Sequence, residues 1–463
     1  MAADVSVDLE EAHFSFLPSQ PNIYSMAKID PLPEESKVLV ASLNGRVTCV
    51  EYENESGGLF SREIPFTYIP AGDAEIVSID AFVRSSSDYS QGLVIGISLI
   101  LLNVQNNSGN NQKQFLNIYS SVEKDKEVCL DNIAEGCQLI ELDFVPFQLC
   151  HTQIKSKRSV RETVFLLAGS DCTVHMFMED NTHQSFEEYQ TEDIFPEFQD
   201  LQSNVIWMDI KCLPLDQRLT AIGCQSGHVQ VALVDTAEDP KILQLFHVDH
   251  DGPITAVNVF PWQHDDLNTS SPDMSVDKPS PEYHLLVCCA TEPCVIYTNI
   301  ISQGLSQIVV LPDSDKFDCV LCTCMADVDW DGNKELLLGT YGQELLVYKF
   351  GSTSTGQSTI LDLKLMWRRS FSSPLYAIQY LDMTGDGLRE VVVASLLGVH
   401  ILQHKLDKAA SLCYSKIKKL QESDHCHQHK RILGLTCLMF RCLKVQGPLL
   451  SALHGLGTYL GSR

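Results

Sequence analysis

The sequence has no apolar run long enough to cross a membrane as a helix, because no stretch of about eighteen apolar residues occurs. Its first residues, MAADVSVDLEEAHF, are acidic where a secretory signal peptide has a basic start and an apolar core. We therefore expect a cytoplasmic protein. In that reducing compartment the 17 cysteines are expected to be free thiols, many of them within apolar runs.

Positive charge is also scarce. The chain has 33 Lys and Arg against 60 Asp and Glu, which gives a formal net charge of −27. This excess of negative charge disfavours nucleic acid and anionic membranes as direct partners and favours basic protein surfaces. One basic segment, KSKRSVR from Lys155 to Arg161, is predicted to be a solvated loop, with docking to an acidic partner as the alternative.

Motifs of the common catalytic sites are missing: there is no HExxH, P-loop, GxGxxG or GxSxG sequence. Cys319, Cys322 and Cys324 form CVLCTC, but no second CxxC pair lies at zinc spacing, so we interpret them as core thiols of a strand. A tract near the C-terminus is too weak a signal for a transition-metal site (His425, Cys426, His427, His429). We expect no enzyme and no required cofactor.

One pattern recurs seven times: an apolar run, a small residue, a short polar turn, then alternating apolar residues. The small residues lie 49 to 72 residues apart (Ala41, Gly96, Ala168, Gly223, Ala290, Gly339, Ala394). Each copy is typical of an antiparallel hairpin, and together they predict an all-β fold, a seven-bladed β-propeller over residues 1–405. The hairpins are expected near 38–52, 93–103, 165–178, 219–235, 285–299, 335–350 and 390–404.

Two other all-β architectures fit this pattern less well. A tandem of β-sandwiches also has short strands with turns, but it does not predict seven similar hairpins. WD40 blades repeat every ~40–45 residues. The only Trp-Asp pair here, Trp330–Asp331, lies inside an acidic loop and not at a strand end.

That acidic loop, DVDWDGNKE, runs from Asp327 to Glu335 and leads into the sixth hairpin. Alternating carboxylates and a central glycine in a tight loop can converge on a hard cation such as Ca²⁺. The ligand candidates stand at loop positions 1, 3, 5, 7 and 9 (Asp327, Asp329, Asp331, Asn333, Glu335). An EF-hand would instead continue as a helix with Glu at position 12, where this chain has Leu338. The loop resembles those of FG-GAP repeats in integrin-like propellers. The alternative is a structural turn held by hydrogen bonds from its own amides.

A second loop of this kind, LDMTGDGLRE, leads into the seventh hairpin. It offers a weaker set of ligands, with Thr in place of one Asp (Asp382, Thr384, Asp386, Glu390). Asp327 and Asp382 are 55 residues apart, so the two loops are expected at equivalent corners of adjacent blades. For this second loop the structural turn is the favoured interpretation, because threonine is a poorer ligand than carboxylate.

The chain beyond the last hairpin has a different character. Apolar residues spaced by three and four predict a short amphipathic helix over residues 406–424, which either packs on the propeller or binds a partner. Residues 425–463 contain no Asp or Glu in a chain otherwise rich in both, and we expect a disordered or atypical tail there.

Several long segments resemble the kaptin family, from about residue 22 to residue 405. They are TYIPAGDAEIVSID, VPFQLCH, IGCQSGHVQVALVD, DKFDCVLC, TYGQELLVYKF and RSFSSPL. The resemblance implies a non-enzymatic subunit of the KICSTOR assembly, which tethers the Rag-directed GATOR GTPase-activating complex to lysosomes and restrains TOR signalling when nutrients are scarce. The family is also described as F-actin-associated, at lamellipodia and stereocilia. It brings no catalytic residue and no metal requirement, so a calcium-responsive propeller stays open as an alternative from the acidic loops alone.

Overall fold

The computed structural model describes residues 7–29, 36–53, 57–84, 92–106, 109–120, 130–155, 161–180, 182–183, 185–237, 239–262, 281–355 and 358–405. In these residues 28 strands form seven antiparallel sheets of four strands each. The predicted seven-bladed β-propeller is confirmed. The predicted helix at 406–424, the tail at 425–463 and the histidine-containing tract within it lie outside the described residues.

The strands follow one another blade by blade after β1 (Leu9–Phe16). Blade 1 is β2 (Met26–Ile29), β3 (Lys37–Ser42), β4 (Arg46–Glu53) and β5 (Gly58–Ile64). Blade 2 is β6 (Ala74–Val83), β7 (Leu93–Asn106), β8 (Gly109–Ser120) and β9 (Cys137–Leu142). Blade 3 is β10 (Pro146–Lys155), β11 (Arg161–Gly169), β12 (Val174–Asp180) and β13 (Ser185–Tyr189). Blade 4 is β14 (Val205–Leu213), β15 (Gln217–Cys224), β16 (His228–Asp235) and β17 (Lys241–Asp249).

Blade 5 is β18 (Ile254–Trp262), β19 (Glu282–Cys289), β20 (Val295–Tyr297) and β21 (Ile308–Val310). Blade 6 is β22 (Val320–Ala326), β23 (Glu335–Thr340), β24 (Glu344–Thr355) and β25 (Ser358–Ser370). Blade 7 is β26 (Leu375–Leu381), β27 (Glu390–Ser395), β28 (Gly398–His404) and, as its fourth strand, β1. The helical segments are short: α1 (Leu130–Glu135), α2 (Ile300–Gln303) and 3-10 turns at Thr191–Asp193, Pro196–Phe198 and Ser314–Phe317. No described helix is both long and apolar enough to span a bilayer.

The two ends of the described chain close the ring. β1 pairs antiparallel with β28, with Leu9 opposite His404 and Phe16 opposite Gly398. Blade 7 also packs against blade 1 through a buried cluster that includes Val38 and Val392. This closure pairs segments almost four hundred residues apart, and β1 covers what would otherwise be the unpaired outer edge of β28.

The hydrophobic core is divided into seven buried clusters, each between two neighbouring blades. The small residue of the repeat belongs to these contacts. A Cβ on Gly96 would lie 2.8 Å from Leu149 Cδ2, and one on Gly223 would lie 2.3 Å from Ile254 Cγ2. The second strand of a blade therefore needs a residue without a bulky side chain where the first strand of the next blade crosses it.

The connections divide between two faces of the ring. We call the upper face the one with the turns between second and third strands and the connections from blade to blade. The lower face has the connections between first and second strands and between third and fourth strands. Both acidic loops lie on the lower face, between the first and second strands of blades 6 and 7.

Candidate functional site

The acidic loop of blade 6 is held by its own carboxylates. The amides of residues at positions 5, 6 and 7 each donate to a side chain two or more residues earlier. The Asp331 amide donates to Asp329 Oδ1 (3.2 Å), the Gly332 amide to Asp327 Oδ2 (3.1 Å), and the Asn333 amide to Asp331 Oδ1 (2.7 Å). Gly332 has a φ of +100°, which L side chains rarely adopt. These bonds are the ones that the structural-turn interpretation requires.

The same loop gathers carboxylates tightly enough to hold a cation. Ligand oxygens of Asp327, Asp329 and Glu335 lie within 4.8 Å of one another. Glu335 is 1% exposed, and its Oε2 accepts from the Val328 amide at 2.9 Å. Asp327 Oδ1 is buried without a hydrogen-bond partner. Burial, with repulsion from Asp329, raises the pKa of Glu335 to about 8, and burial also raises the pKa of Asp327. This donor set fits a hard cation such as Ca²⁺.

A lysine already supplies positive charge to this cluster. Lys349 Nζ, from β24, donates to Asp329 Oδ2 and to Asp331 Oδ2 (2.7 Å), and lies 3.5 Å from Glu335 Oε1. Burial opposes protonation of Lys349, but these carboxylates outweigh it and raise the pKa of the ammonium. A divalent ion held by Asp327, Asp329 and Glu335 would have to displace the ammonium. The calcium site therefore stays a prediction.

The other predicted ligands of blade 6 are placed differently. Asp331 Oδ1 accepts from the turn, and its Oδ2 faces Lys349 and not the three-carboxylate cluster. Asn333 is exposed and contributes its backbone amide to the turn. The structure thus brings together three of the five residues predicted for this loop.

The loop of blade 7 repeats the geometry with different chemistry. Its amides at Gly387 and Leu388 donate to Asp382 Oδ2 and Asp386 Oδ1, both at 2.7 Å. Glu390 is 3% exposed and, as in blade 6, accepts from the loop amide that follows the first aspartate, here Met383 at 2.8 Å. Burial raises the pKa of Glu390 to about 8. Thr384 Oγ1 has no hydrogen-bond partner.

A glutamine takes the place of the lysine in blade 7. Gln403 Nε2 donates to Glu390 Oε1 at 3.1 Å. Leu336 pairs with Tyr348 and Val391 with Leu402, so Lys349 and Gln403 each stand one step further on, opposite Glu335 and Glu390. Neither Lys349 nor Gln403 was predicted from the sequence as part of a site. The predicted hairpins at 335–350 and 390–404 contain these residues, but their bounds do not give the pairing register that sets Lys349 opposite Glu335 and Gln403 opposite Glu390.

A cavity of about 200 Å³ lies on the ring axis. It is lined by the first strands of several blades, including Trp207 in β14. The loop before β2 enters it. Tyr24 OH donates to the backbone oxygen of Ile206 in blade 4, and the ring of Tyr24 lies 5.8 Å from that of Trp207. On the inner strands, His151 Nδ1 contacts Asp80 Oδ2 at 2.7 Å. Burial lowers the pKa of His151, but the Asp80 carboxylate outweighs burial and raises it. The contacts of Tyr24 indicate a side chain that packs across the axis.

The family model described as KICSTOR complex protein kaptin matches residues 9–414. The chain belongs to the kaptin family. A Mus musculus protein named KICSTOR complex protein kaptin is 42% identical over 430 residues, which cover 92% of this chain and 94% of the mouse protein.

The BBS1N chain of a crystal structure with ARL6DN, soaked with mercury, is 10% identical with a TM-score of 0.49, covering 86% of this chain and 98% of that chain. The Dos1 propeller is 10% identical with a TM-score of 0.48, covering 86% of this chain and 96% of that chain. The propeller assignment of this kaptin-family chain depends on its own strand pairing.

One side-chain arrangement in this kaptin-family propeller has the order of a hydrolase triad. Ser395 Oγ lies 3.0 Å from His400 Nε2, and His400 Nδ1 lies 2.9 Å from Glu11 Oε2. Ser395 is 0% exposed, and its hydroxyl also donates to the Gly398 carbonyl at 3.0 Å. Burial lowers the pKa of His400 although Glu11 opposes this. These contacts join the turn before β28 to β1. Because Ser395 is fully buried, a substrate has no access to its hydroxyl.

Proposed function

We propose that this chain is a non-enzymatic scaffold subunit of a KICSTOR-type complex. The proposal is supported by its identity to the mouse protein of that name, which at 42% extends over nearly the whole of both chains. A rigid ring with loops on two faces can present several binding surfaces at once, and no active-site motif was found in the sequence. Binding to other subunits, and not catalysis, is then the function that we propose for this chain, and it must be carried by particular surfaces and not by the fold as such.

The finer proposal concerns place and partners. We propose a cytoplasmic protein recruited to the lysosomal surface with its complex, where it helps to recruit the Rag-directed GATOR complex and so restrains TOR signalling in amino-acid or glucose shortage. The resemblance to the kaptin family supports this assignment. The net charge of −27 supports recruitment through other proteins, because direct contact with anionic lipid would be repelled.

The test uses the tagged chain expressed in cells that lack the endogenous kaptin. Cross-linking mass spectrometry on the protein purified from starved cells should yield reproducible cross-links to other large subunits. Phosphorylation of TOR substrates should fall on amino-acid withdrawal with the chain present and persist without it. Stable purification as a lone monomer, with starvation responses unchanged by its loss, would contradict the proposal.

The actin-adaptor role is distinguished by the same sample. Direct binding to acidic filaments would need a basic surface, and one of the two described residues of the basic segment is already paired: Lys155 Nζ lies 2.9 Å from Asp216 Oδ2. We expect no co-sedimentation of the purified chain with F-actin at low salt. Co-sedimentation that is lost at high salt would favour the adaptor role.

A further inference from the structure

Apolar and aromatic side chains cross the upper face of blades 6 and 7. Phe16, at the end of β1, is 76% exposed. Tyr341 and Leu397, in the turns between the second and third strands, are 50% and 47% exposed. Phe371 and Tyr376, in and just after the connection between the two blades, are half-buried. We call these five residues the aromatic ridge.

Backbone hydrogen bonds show that the ridge is continuous. The Leu17 amide donates to the Leu397 carbonyl at 3.1 Å, which places Phe16 beside the turn of blade 7. The Phe371 amide donates to the carbonyl of Gln343 at 2.8 Å, two residues after Tyr341. The connection between the blades therefore joins the two exposed turns into one surface.

The ridge packs against the half-buried ring of Phe14 and the buried ring of His400. Phe14 packs edge-on against Phe16, with ring centroids 4.7 Å apart. The ring centroid of His400 lies 4.6 Å from that of Phe14 and 4.9 Å from that of Phe371. Its nitrogens are held by Ser395 and Glu11. The hydrolase-like arrangement thus fixes the rings beneath the ridge, which lowers the entropy lost when a partner binds.

An acidic segment borders the ridge. The connection from blade 5 to blade 6 carries three exposed aspartates (Asp313, Asp315, Asp318). Its only lysine, Lys316, lies 2.7 Å from Asp313. The Tyr341 amide donates to the Cys319 carbonyl at 2.9 Å, so this segment runs beside the exposed ring of Tyr341. The surface therefore combines aromatic rings with carboxylates. Two arginines of β25 already lie over its rings, with Arg368 Cζ 5.4 Å from the ring centroid of Phe317 and Arg369 Cζ 5.5 Å from that of Phe371.

We propose that the aromatic ridge is the docking surface for an arginine-bearing segment of another subunit, which rests on the proposed function as a complex subunit. A guanidinium stacks on aromatic rings, pairs with carboxylates in a bidentate manner and is weakly hydrated, so it suits both halves of this surface. Aromatic residues and arginine also dominate the energy of protein interfaces. A second copy of this chain is disfavoured, because it would bring the same acidic border and a charge of −27 against itself.

The test compares matched variants in the complex co-expressed with the other KICSTOR subunits and purified through a tag on this chain. The ridge variant carries Phe16→Ser and Tyr341→Ser. The control variant carries Leu215→Ser and Leu243→Ser on blade 4, where the side chains are 89% and 49% exposed. A charge variant carries Asp315→Lys and Asp318→Lys. Thermal melts of each purified chain confirm folding. A photo-cross-linking residue at position 341 identifies the peptide bound.

The ridge variant should lower recovery of one subunit about tenfold, as expected for loss of interface anchors, and the control variant should leave it unchanged. The charge variant should also lower recovery of that subunit, and the loss should be larger at low salt than at high salt. The cross-linked peptide should come from another subunit and contain arginine. Recovery equal to wild type, or a cross-link only to a second copy, would overturn the docking surface. If wild type itself recovers no subunit, the proposed function fails instead.

Discussion

The acidic loops of blades 6 and 7 share a backbone conformation but differ in the side chains that surround their buried glutamates. Each loop holds its turn with carboxylates of its first and fifth positions, and each buries a glutamate at its ninth. In blade 6 an aspartate and a lysine complete the cluster, Asp329 with Lys349. In blade 7 a threonine and a glutamine stand at the same places, Thr384 with Gln403.

The two clusters differ in their residues but not in their formal charge. Blade 6 has four carboxylates and an ammonium, and blade 7 has three carboxylates and a neutral amide. When every carboxylate is ionised, each cluster therefore has the same formal charge of −3. Because a buried carboxylate without a partner is costly, the added aspartate of blade 6 and its lysine are expected to depend on each other.

Removal of the lysine should have the largest effect. Lys349→Met leaves Asp329 and Glu335 buried without their cation and should lower the free energy of unfolding by about 2 kcal/mol. This is less than for a fully buried pair, because the Lys349 side chain is 33% exposed. The matched variant Gln403→Met removes one hydrogen bond and should cost about 1 kcal/mol. Denaturant unfolding measures both, and equal losses would contradict the charge argument.

The coupling between Asp329 and Lys349 can be measured by converting blade 6 to the chemistry of blade 7. Asp329→Thr and Lys349→Gln should each destabilise alone. The double variant should be more stable than their sum predicts, by about 1–2 kcal/mol, because the unpaired charge is gone. The readout is a double-mutant cycle in denaturant. An additive result would show that the lysine and the aspartate act independently.

The fold was predictable because the repeat contains a small residue at the position where neighbouring blades pack closely. In several hairpins the small residue marks where the next blade crosses, as at Gly96 and Gly223. β1 was not predicted as the fourth strand of blade 7. Its partner β28 lies almost four hundred residues away, and periodicity within a segment does not show such a pairing.

The candidate site was predictable only in part, for the same reason. The ligand candidates of each loop are local in sequence, and the 55-residue spacing between Asp327 and Asp382 aligns the loops. Lys349 comes from β24, the third strand of the blade, and only the pairing register with β23 places it beside the loop. The contact between Glu11 and His400 depends on ring closure, which no local pattern reports.

The buried glutamates should make stability depend on pH in both blades. Each carboxyl has a pKa raised from 4.5 to about 8 by burial, so the folded protein binds its proton more tightly than the unfolded chain. The resulting stability is fully present below the unfolded pKa and is lost as the pH rises towards 8. Glu335→Gln and Glu390→Gln should each reduce this loss, by about 1 kcal/mol per pH unit at most. Unfolding curves between pH 5 and pH 9 measure the slope, and unchanged slopes would contradict the raised pKa values.

Calcium should distinguish the loops by a smaller amount. In wild type, the ammonium of Lys349 already contacts the carboxylates of Asp329, Asp331 and Glu335, so millimolar Ca²⁺ should not change the melting temperature through that loop. In Lys349→Met the three clustered carboxylates are free to bind, and Ca²⁺ should restore about 1 kcal/mol of stability. Magnesium is the matched control, because it prefers shorter bonds and a strict octahedron. Stabilisation of wild type that Asp327→Asn abolishes would show that calcium displaces the lysine.

The smallest effect is expected at Thr384 in blade 7. Its hydroxyl oxygen is buried without a hydrogen-bond partner, so Thr384→Val removes an unsatisfied group and keeps the shape of the side chain. In the presence of a chelator the free energy of unfolding should stay within about 0.5 kcal/mol of wild type. If calcium stabilises wild type and Thr384→Val removes that stabilisation, the orphaned oxygen is a ligand. Blade 7, which lacks a lysine of its own, would then be the loop that needs an external cation.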